Sequence, residues 1–157
     1  MMVKFVKLIL VICCMLTIFL FSNDNSLKST EKSDGVIIKG TEFLLNRKLS
    51  KNERYSFIKK FVFPVRKSAH FIIYFILGIL VISFFLEYRD LCFNTILLVG
   101  IFCFLYACSD EIHQIFVPGR SASIFDVFID TCGSICGCLI YIFIVNIISR
   151  RRDNGYE

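Results

Sequence analysis

Four apolar stretches, at about 5–21, 68–88, 91–108 and 125–148, leave few folds open to this chain. A helix needs about 20 mostly apolar residues to cross a bilayer, and each stretch meets or approaches that length. Inside hydrocarbon every backbone N–H and C=O must be satisfied within the protein, so segments of this kind fold as helices. At 157 residues, 56% of them hydrophobic, and with a mean hydropathy of +0.69, the composition does not fit an ordinary soluble domain. The expected fold is all-α: one polytopic membrane domain over 1–157, with four transmembrane helices and a polar loop at 22–67.

The first stretch has a rival reading as a cleaved signal peptide, with Lys4 and Lys7 as its basic end. Phe19-Leu20-Phe21-Ser22-Asn23 places bulky residues where cleavage needs small ones, so the sequence reads as an uncleaved anchor. The eight cysteines lie within or beside apolar segments, where a small polarizable hydrophobe explains them without disulfides. Cys132, Cys136 and Cys138 lack the paired short spacings of a zinc site. The net charge of +5 sits largely at span boundaries, in Arg150-Arg151-Arg152 after the last stretch and Lys59, Lys60, Arg66 and Lys67 before the second. That distribution belongs to a membrane protein rather than a nucleic-acid binder.

In the polar loop, 23–40 is rich in Ser, Asp, Lys and Gly and reads as mobile. Beyond it, Ser50-Lys51-Asn52-Glu53 fits a capping box, and Tyr55, Ile58, Phe61 and Val62 recur at helical spacing. This predicts a short amphipathic helix at the bilayer interface, ended by Pro64, or packed on the rim of the bundle.

Four crossings put both termini on the same side of the cell membrane. An N-inside topology places Lys4, Lys7, Arg89, Arg150, Arg151 and Arg152 in the cytoplasm, and leaves 12 Lys and Arg outside, from Lys28 to Lys67 together with Arg120. The plain positive-inside count opposes that choice. The basic residues directly flanking the first and last spans favour it, and the reading adopts it.

Antiparallel threading carries a consequence that holds in either orientation. Arg66, Lys67, His70, Asp110, Glu111, His113, Arg120, Asp126 and Asp130 all emerge at the same end of the bundle. Lys67, His70 and Tyr74 share one helical stripe; Asp126, Asp130, Gly133 and Gly137 share another, whose glycines permit close helix approach. Asp130 lies ~6 Å deeper than Asp126 at 1.5 Å rise per residue, and should point into the bundle.

These residues admit two kinds of role. His70, Asp110, Glu111, His113, Asp126 and Asp130 are candidate acid–base groups, with His113–Asp110 or His70–Asp130 as the working pair. Arg66, Lys67, Tyr74, Gln114 and Arg120 are candidate ligand contacts, the cations being suited to an anionic headgroup. Quieter roles exist for several. Asp126 could close a capping box with Ser123, Asp130 could pair with Arg120 or His70 to hold helices together, and Arg66 and Lys67 could snorkel as interfacial anchors. A metal bound by His70, His113 and carboxylates would depend on folding proximity alone, because no compact ligand motif is present. No metal or cofactor is therefore assigned from sequence.

The stretches Arg66-Lys67-Ser68-Ala69-His70-Phe71-Ile72-Ile73-Tyr74, Ser109-Asp110-Glu111-Ile112-His113-Gln114-Ile115-Phe116-Val117-Pro118-Gly119-Arg120, and Ser123 through Asp126, Asp130 and Gly133 together resemble the VanZ-like family of bacterial membrane proteins. The resemblance carries the family's hallmark positions to Arg66, Lys67, His70, Tyr74, Asp110, Glu111, His113, Gln114, Pro118, Gly119, Arg120, Asp126, Asp130 and Gly133. Ile73 stands where many relatives have Glu, and Ser22-Asn23-Asp24-Asn25 departs from a Ser-x-Gln pattern after the first span. The resemblance implies a link to resistance against the glycopeptide teicoplanin, and a site facing lipid-linked cell-wall precursors.

Three functions follow as expectations. The first is a binding or shielding protein for an anionic envelope lipid or cell-wall precursor. The second is a membrane enzyme acting on a lipid headgroup, although no G-x-S-x-G nucleophile motif is present. The third is a small proton-coupled transporter using Asp130, for which four helices suggest a homo-oligomer.

Overall fold

A computed structural model describes residues 2–153; the side chains of 26–28, 152 and 153 lie outside the description, and with them the charges counted above at Lys28 and Arg152. The described residues form five helices and no strand: α1 (Met2–Ser22), α2 (Ser26–Leu45), α3 (Lys51–Phe85), α4 (Phe93–Gln114) and α5 (Ile124–Asp153). The chain is all-helical, and α1, α3, α4 and α5 are long and apolar enough to cross a membrane.

Burial is inverted relative to a water-soluble bundle. Asp110, Glu111, Gln114, Asp130, Ser22, Thr95 and Ser134 are buried, while Leu20, Leu105, Phe128 and Phe143 point outward. Lipid tails are as apolar as these outward side chains, so leaving them exposed costs nothing, whereas polar groups gain by turning inward. All eight cysteines are free thiols, with Cys103 and Cys138 in the core.

α3 and α5 run parallel and form the closest helix pair. An ideal Cβ on Gly133 would lie 2.5 Å from the Phe71 carbonyl oxygen, on Gly137 2.0 Å from that of Phe75, and on Gly78 2.0 Å from that of Ser134. Only glycine fits at each of these three points, and together they lock the register of the two helices. α1 runs opposite to α3. At one end of the bundle Lys7 pairs with Glu87 and donates to the Ser83 carbonyl at 3.1 Å, and Lys4 sits 4.3 Å above the Tyr88 ring. Farther along, Tyr106 of α4 donates to the Met15 carbonyl at 2.6 Å. These directions bring the start of α1 and the end of α5 to the same end of the bundle.

Two sequence expectations need correction. The polar segment 23–40 is largely helical, as part of α2, which packs along the first half of α3 and buries Ile37. Tertiary packing overrides the weak helix propensity of its Ser and Gly residues. The interfacial helix does not stop at Pro64: α3 runs unbroken through it for 35 residues, about 52 Å against a hydrocarbon core of about 30 Å. Proline removes the hydrogen bond to the carbonyl four residues back, which here belongs to the exposed Lys60, where water can replace the missing donor. An ion pair to α2, Arg54–Glu42 at 2.9 Å, holds the extension, and Arg47 of the connecting turn pairs with Glu53 at 2.6 Å. The Leu49 amide, with Arg54 second, draws the Glu42 carboxyl below its usual range. The capping box at Ser50 is formed as expected, with the Glu53 amide donating to Ser50 at 3.4 Å and the Ser50 amide to Glu53 at 2.9 Å.

Gly137→Ala is expected to lower the melting temperature of the detergent-purified protein, overpacking of this kind costing about 1–3 kcal/mol. Gly100→Ala has nothing within 4 Å of its added Cβ and is expected to leave it unchanged. Equal melting temperatures for the two variants would show that the α3–α5 seam is not tight.

Candidate functional site

The register set by the glycine seam brings two polar pairs face to face across α3 and α5. Lys67 pairs with Asp126, one turn above His70 and Asp130, whose Nδ1 and Oδ1 lie 3.4 Å apart. That separation is within ion-pair range, yet neither Asp130 oxygen has a hydrogen-bond partner, although the residue is fully buried. Lys67 also lies over the Phe63 ring at 5.3 Å and the Phe125 ring at 6.0 Å, so its ammonium is partly desolvated.

The end of α4 supplies the third wall. It extends beyond the expected limit at 108, so Asp110, Glu111 and Gln114 sit on its last turns, all buried. Gln114 bridges them, donating to Asp110 at 3.1 Å and to Glu111 at 3.0 Å, while its carbonyl oxygen accepts from Arg120 at 3.1 Å. Asp110 also accepts from Ser22 at 2.8 Å, which ties the last residue of α1 to the cluster. One carboxylate oxygen from each of Asp110, Glu111 and Asp130 falls within 4.8 Å of the other two. Tyr74, one turn below His70 on α3, is fully buried and its hydroxyl has no hydrogen-bond partner.

Arg120 lies in the turn between α4 and α5, where Gly119 takes a left-handed conformation at φ 76°. Its guanidinium donates to the carbonyls of Asp24 at 2.8 Å and Phe21 at 3.0 Å, so it fastens this turn to the end of α1. Burial first, and then the nearby Arg66 charge, lower its pKa from the ordinary arginine value. Arg66 donates to Thr30 of α2 at 2.6 Å.

Sequence reasoning placed the convergence correctly but not every partner. The His113–Asp110 pair does not form. Asp110 turns inward to Ser22 and Gln114, whereas His113 stacks against Phe19 of α1 with ring centroids 4.5 Å apart. Asp126 does not close a capping box at Ser123, because its carboxylate is held by Lys67 and the Ser123 amide donates to Glu111 at 2.8 Å. Of the two partners considered for Asp130, the structure offers His70. Ser22 was missed as a site residue, as were the Phe21 and Asp24 carbonyls. A serine at the membrane exit of α1, level with Asp110, was the available signal for Ser22; carbonyl acceptors leave none.

A small apolar cavity of about 20 Å³ lies elsewhere, lined by Ile96, Val99, Cys103, Ser134 and Cys138. It has room for no more than a water-sized body. The candidate groups lie together at the polar end of the bundle, where acid–base and ion-binding chemistry would both be within reach of the same side chains.

No curated protein and no solved structure matches the chain. The family model described as VanZ/LLP1 matches residues 6–146, which takes in all four long apolar helices and every residue of the polar cluster. On that match, which covers most of its length, the chain belongs to the VanZ-like family of membrane proteins.

Proposed function

We propose that this multi-pass membrane protein binds the phosphate-bearing headgroup of an anionic envelope lipid or lipid-linked cell-wall precursor at the polar end of its bundle. The observation that supports this reading is the incomplete bonding of a half-buried cation: Arg66 donates through one Nη to Thr30 at 2.6 Å. The buried Nε of Arg66 also has no hydrogen-bond partner. A guanidinium with a donor to spare suits an anion, and a phosphate matches the planar fork of arginine. The aromatic rings beside Lys67 would sit at the level where headgroup meets acyl chain. On this reading the site faces outward and both termini are cytoplasmic. The family's association with glycopeptide resistance would then reflect altered access to the precursor.

A second reading has its own support in the His70–Asp130 approach at 3.4 Å. A histidine held by a buried carboxylate can move a proton, so hydrolysis or transfer at the same headgroup is the alternative activity.

Arg66→Ala is expected to weaken flotation of the purified protein with phosphatidylglycerol vesicles roughly 10-fold or more, as for loss of a hydrogen bond to a charged group. Phosphatidylcholine vesicles serve as the neutral reference, and competition by inorganic phosphate separates recognition of phosphate from recognition of the lipid as a whole. Undiminished binding by the variant would discard the arginine site. Expression in a teicoplanin-sensitive host should raise tolerance, and no change with protein present in the membrane would remove the glycopeptide connection. His70→Ala should leave vesicle binding intact under the binding reading but abolish lipid turnover under the enzymatic one, as read by lipid mass spectrometry. A reporter fused after Arg152 should be active only as a cytoplasmic fusion; periplasmic or external activity would invert the orientation.

A further inference from the structure

We propose that Asp110, Glu111 and Asp130 form a binding site for a hard divalent cation, Mg²⁺ or Mn²⁺, inside the bundle at its polar end. Three carboxylates from two helices direct one oxygen each into a space where no two of those oxygens are more than 4.8 Å apart. All three residues are buried, which leaves little water to screen the repulsion between them. The cations nearby are engaged elsewhere: Lys67 by Asp126, Arg120 by Gln114 and backbone carbonyls, Arg66 by Thr30.

Two buried side chains have polar atoms left without a hydrogen-bond partner, one within the trio and one on α3. Asp130 is 0% exposed, and both its oxygens lack a hydrogen-bond partner. Tyr74, one turn below His70 on α3 and also 0% exposed, has an unpartnered hydroxyl. Buried polar atoms are rarely left unsatisfied, and a cation with its remaining coordinated water would engage both groups.

The surrounding bonds are those of a prepared ligand set. Ser22 and Gln114 both donate to Oδ2 of Asp110, and Gln114 and the Ser123 amide donate to Glu111, which orients these carboxylates as outer-shell partners do in metal sites. An all-oxygen set without thiolate selects hard ions over zinc or copper. His70, 3.4 Å from Asp130, would serve as an outer-shell partner to that carboxylate. The site goes beyond the headgroup reading and does not depend on it, since none of the three ligands is an arginine of the proposed anion site.

The test is Mn²⁺ titration of the detergent-purified full chain after chelator treatment, followed by loss of the six-line electron paramagnetic resonance signal of free Mn²⁺. One saturable site per chain is expected, competed by Mg²⁺, with Asp130→Asn and Glu111→Gln each weakening it on the order of 10–100-fold. Glu87→Gln, at the opposite end of the bundle where Lys7 holds that carboxylate, should leave the affinity unchanged. Should Asp130→Asn fail to fold, Glu111→Gln and a Mn²⁺-dependent rise in the melting temperature of the unsubstituted protein carry the decision. No saturable Mn²⁺ site in the unsubstituted protein, or undiminished affinity in both acidic variants, overturns the proposal. Loss of vesicle binding in Arg66→Ala with Mn²⁺ affinity retained keeps the two sites separate, so either can fail alone.

Discussion

The backbone-to-backbone approach of α3 and α5 is the constraint from which the rest of the molecule follows. In lipid no hydrophobic force drives helices together, so association depends on close packing and on polar contacts that hydrocarbon cannot replace. Gly133, Gly137 and Gly78 provide the packing, each against a carbonyl of the other helix. Matching Phe71 to Gly133 and Phe75 to Gly137 fixes the register. With the helices parallel, that register carries upward to His70 beside Asp130 and Lys67 beside Asp126. A shift by one residue would rotate these groups by about 100° and part both pairs.

α1 is then held at both ends by polar bonds, with Val11 and Ile18 packed into the core between them while most of its apolar surface faces outward. Lys7 grips the far end of α3, and Ser22 together with the Phe21 carbonyl joins the network of Asp110 and Arg120. The polar end is consequently assembled from four helices and two connecting segments. α2 and the extension of α3 stand above it, and Arg66 reaches from α3 to Thr30 of α2.

Much of this was legible from residue order. Apolar run length points to the number of spans, an even number of antiparallel crossings sets which ends share a rim, and the helical spacing of Asp126, Asp130, Gly133 and Gly137 marks the inward stripe of α5. The helix at 26–45 was not legible, because its stability comes from burial of Ile37 against α3 rather than from its own Ser- and Gly-rich composition. Continuity through Pro64 was hidden for a similar reason: local chemistry argues for a break, and the contacts that maintain the helix, such as Arg54–Glu42, come from 12 residues away. Within the site, helical periodicity could say that Asp110 and His113 share a side of α4, yet not that Phe19 would capture the imidazole.

Asp130 separates a structural account of this cluster from a functional one. A buried carboxylate kept only to join helices should be hydrogen-bonded, since an unsatisfied charge in a low-dielectric interior costs more than the association it provides. Asp126 meets that requirement through Lys67, Asp110 through Ser22 and Gln114, and Glu111 through Gln114 and the Ser123 amide. Asp130 approaches it only through His70 at 3.4 Å, and the glycine seam already supplies the register that pair would otherwise be needed to enforce. A buried carboxylate with so few bonds to its own helices is the basis of the cation site proposed for it.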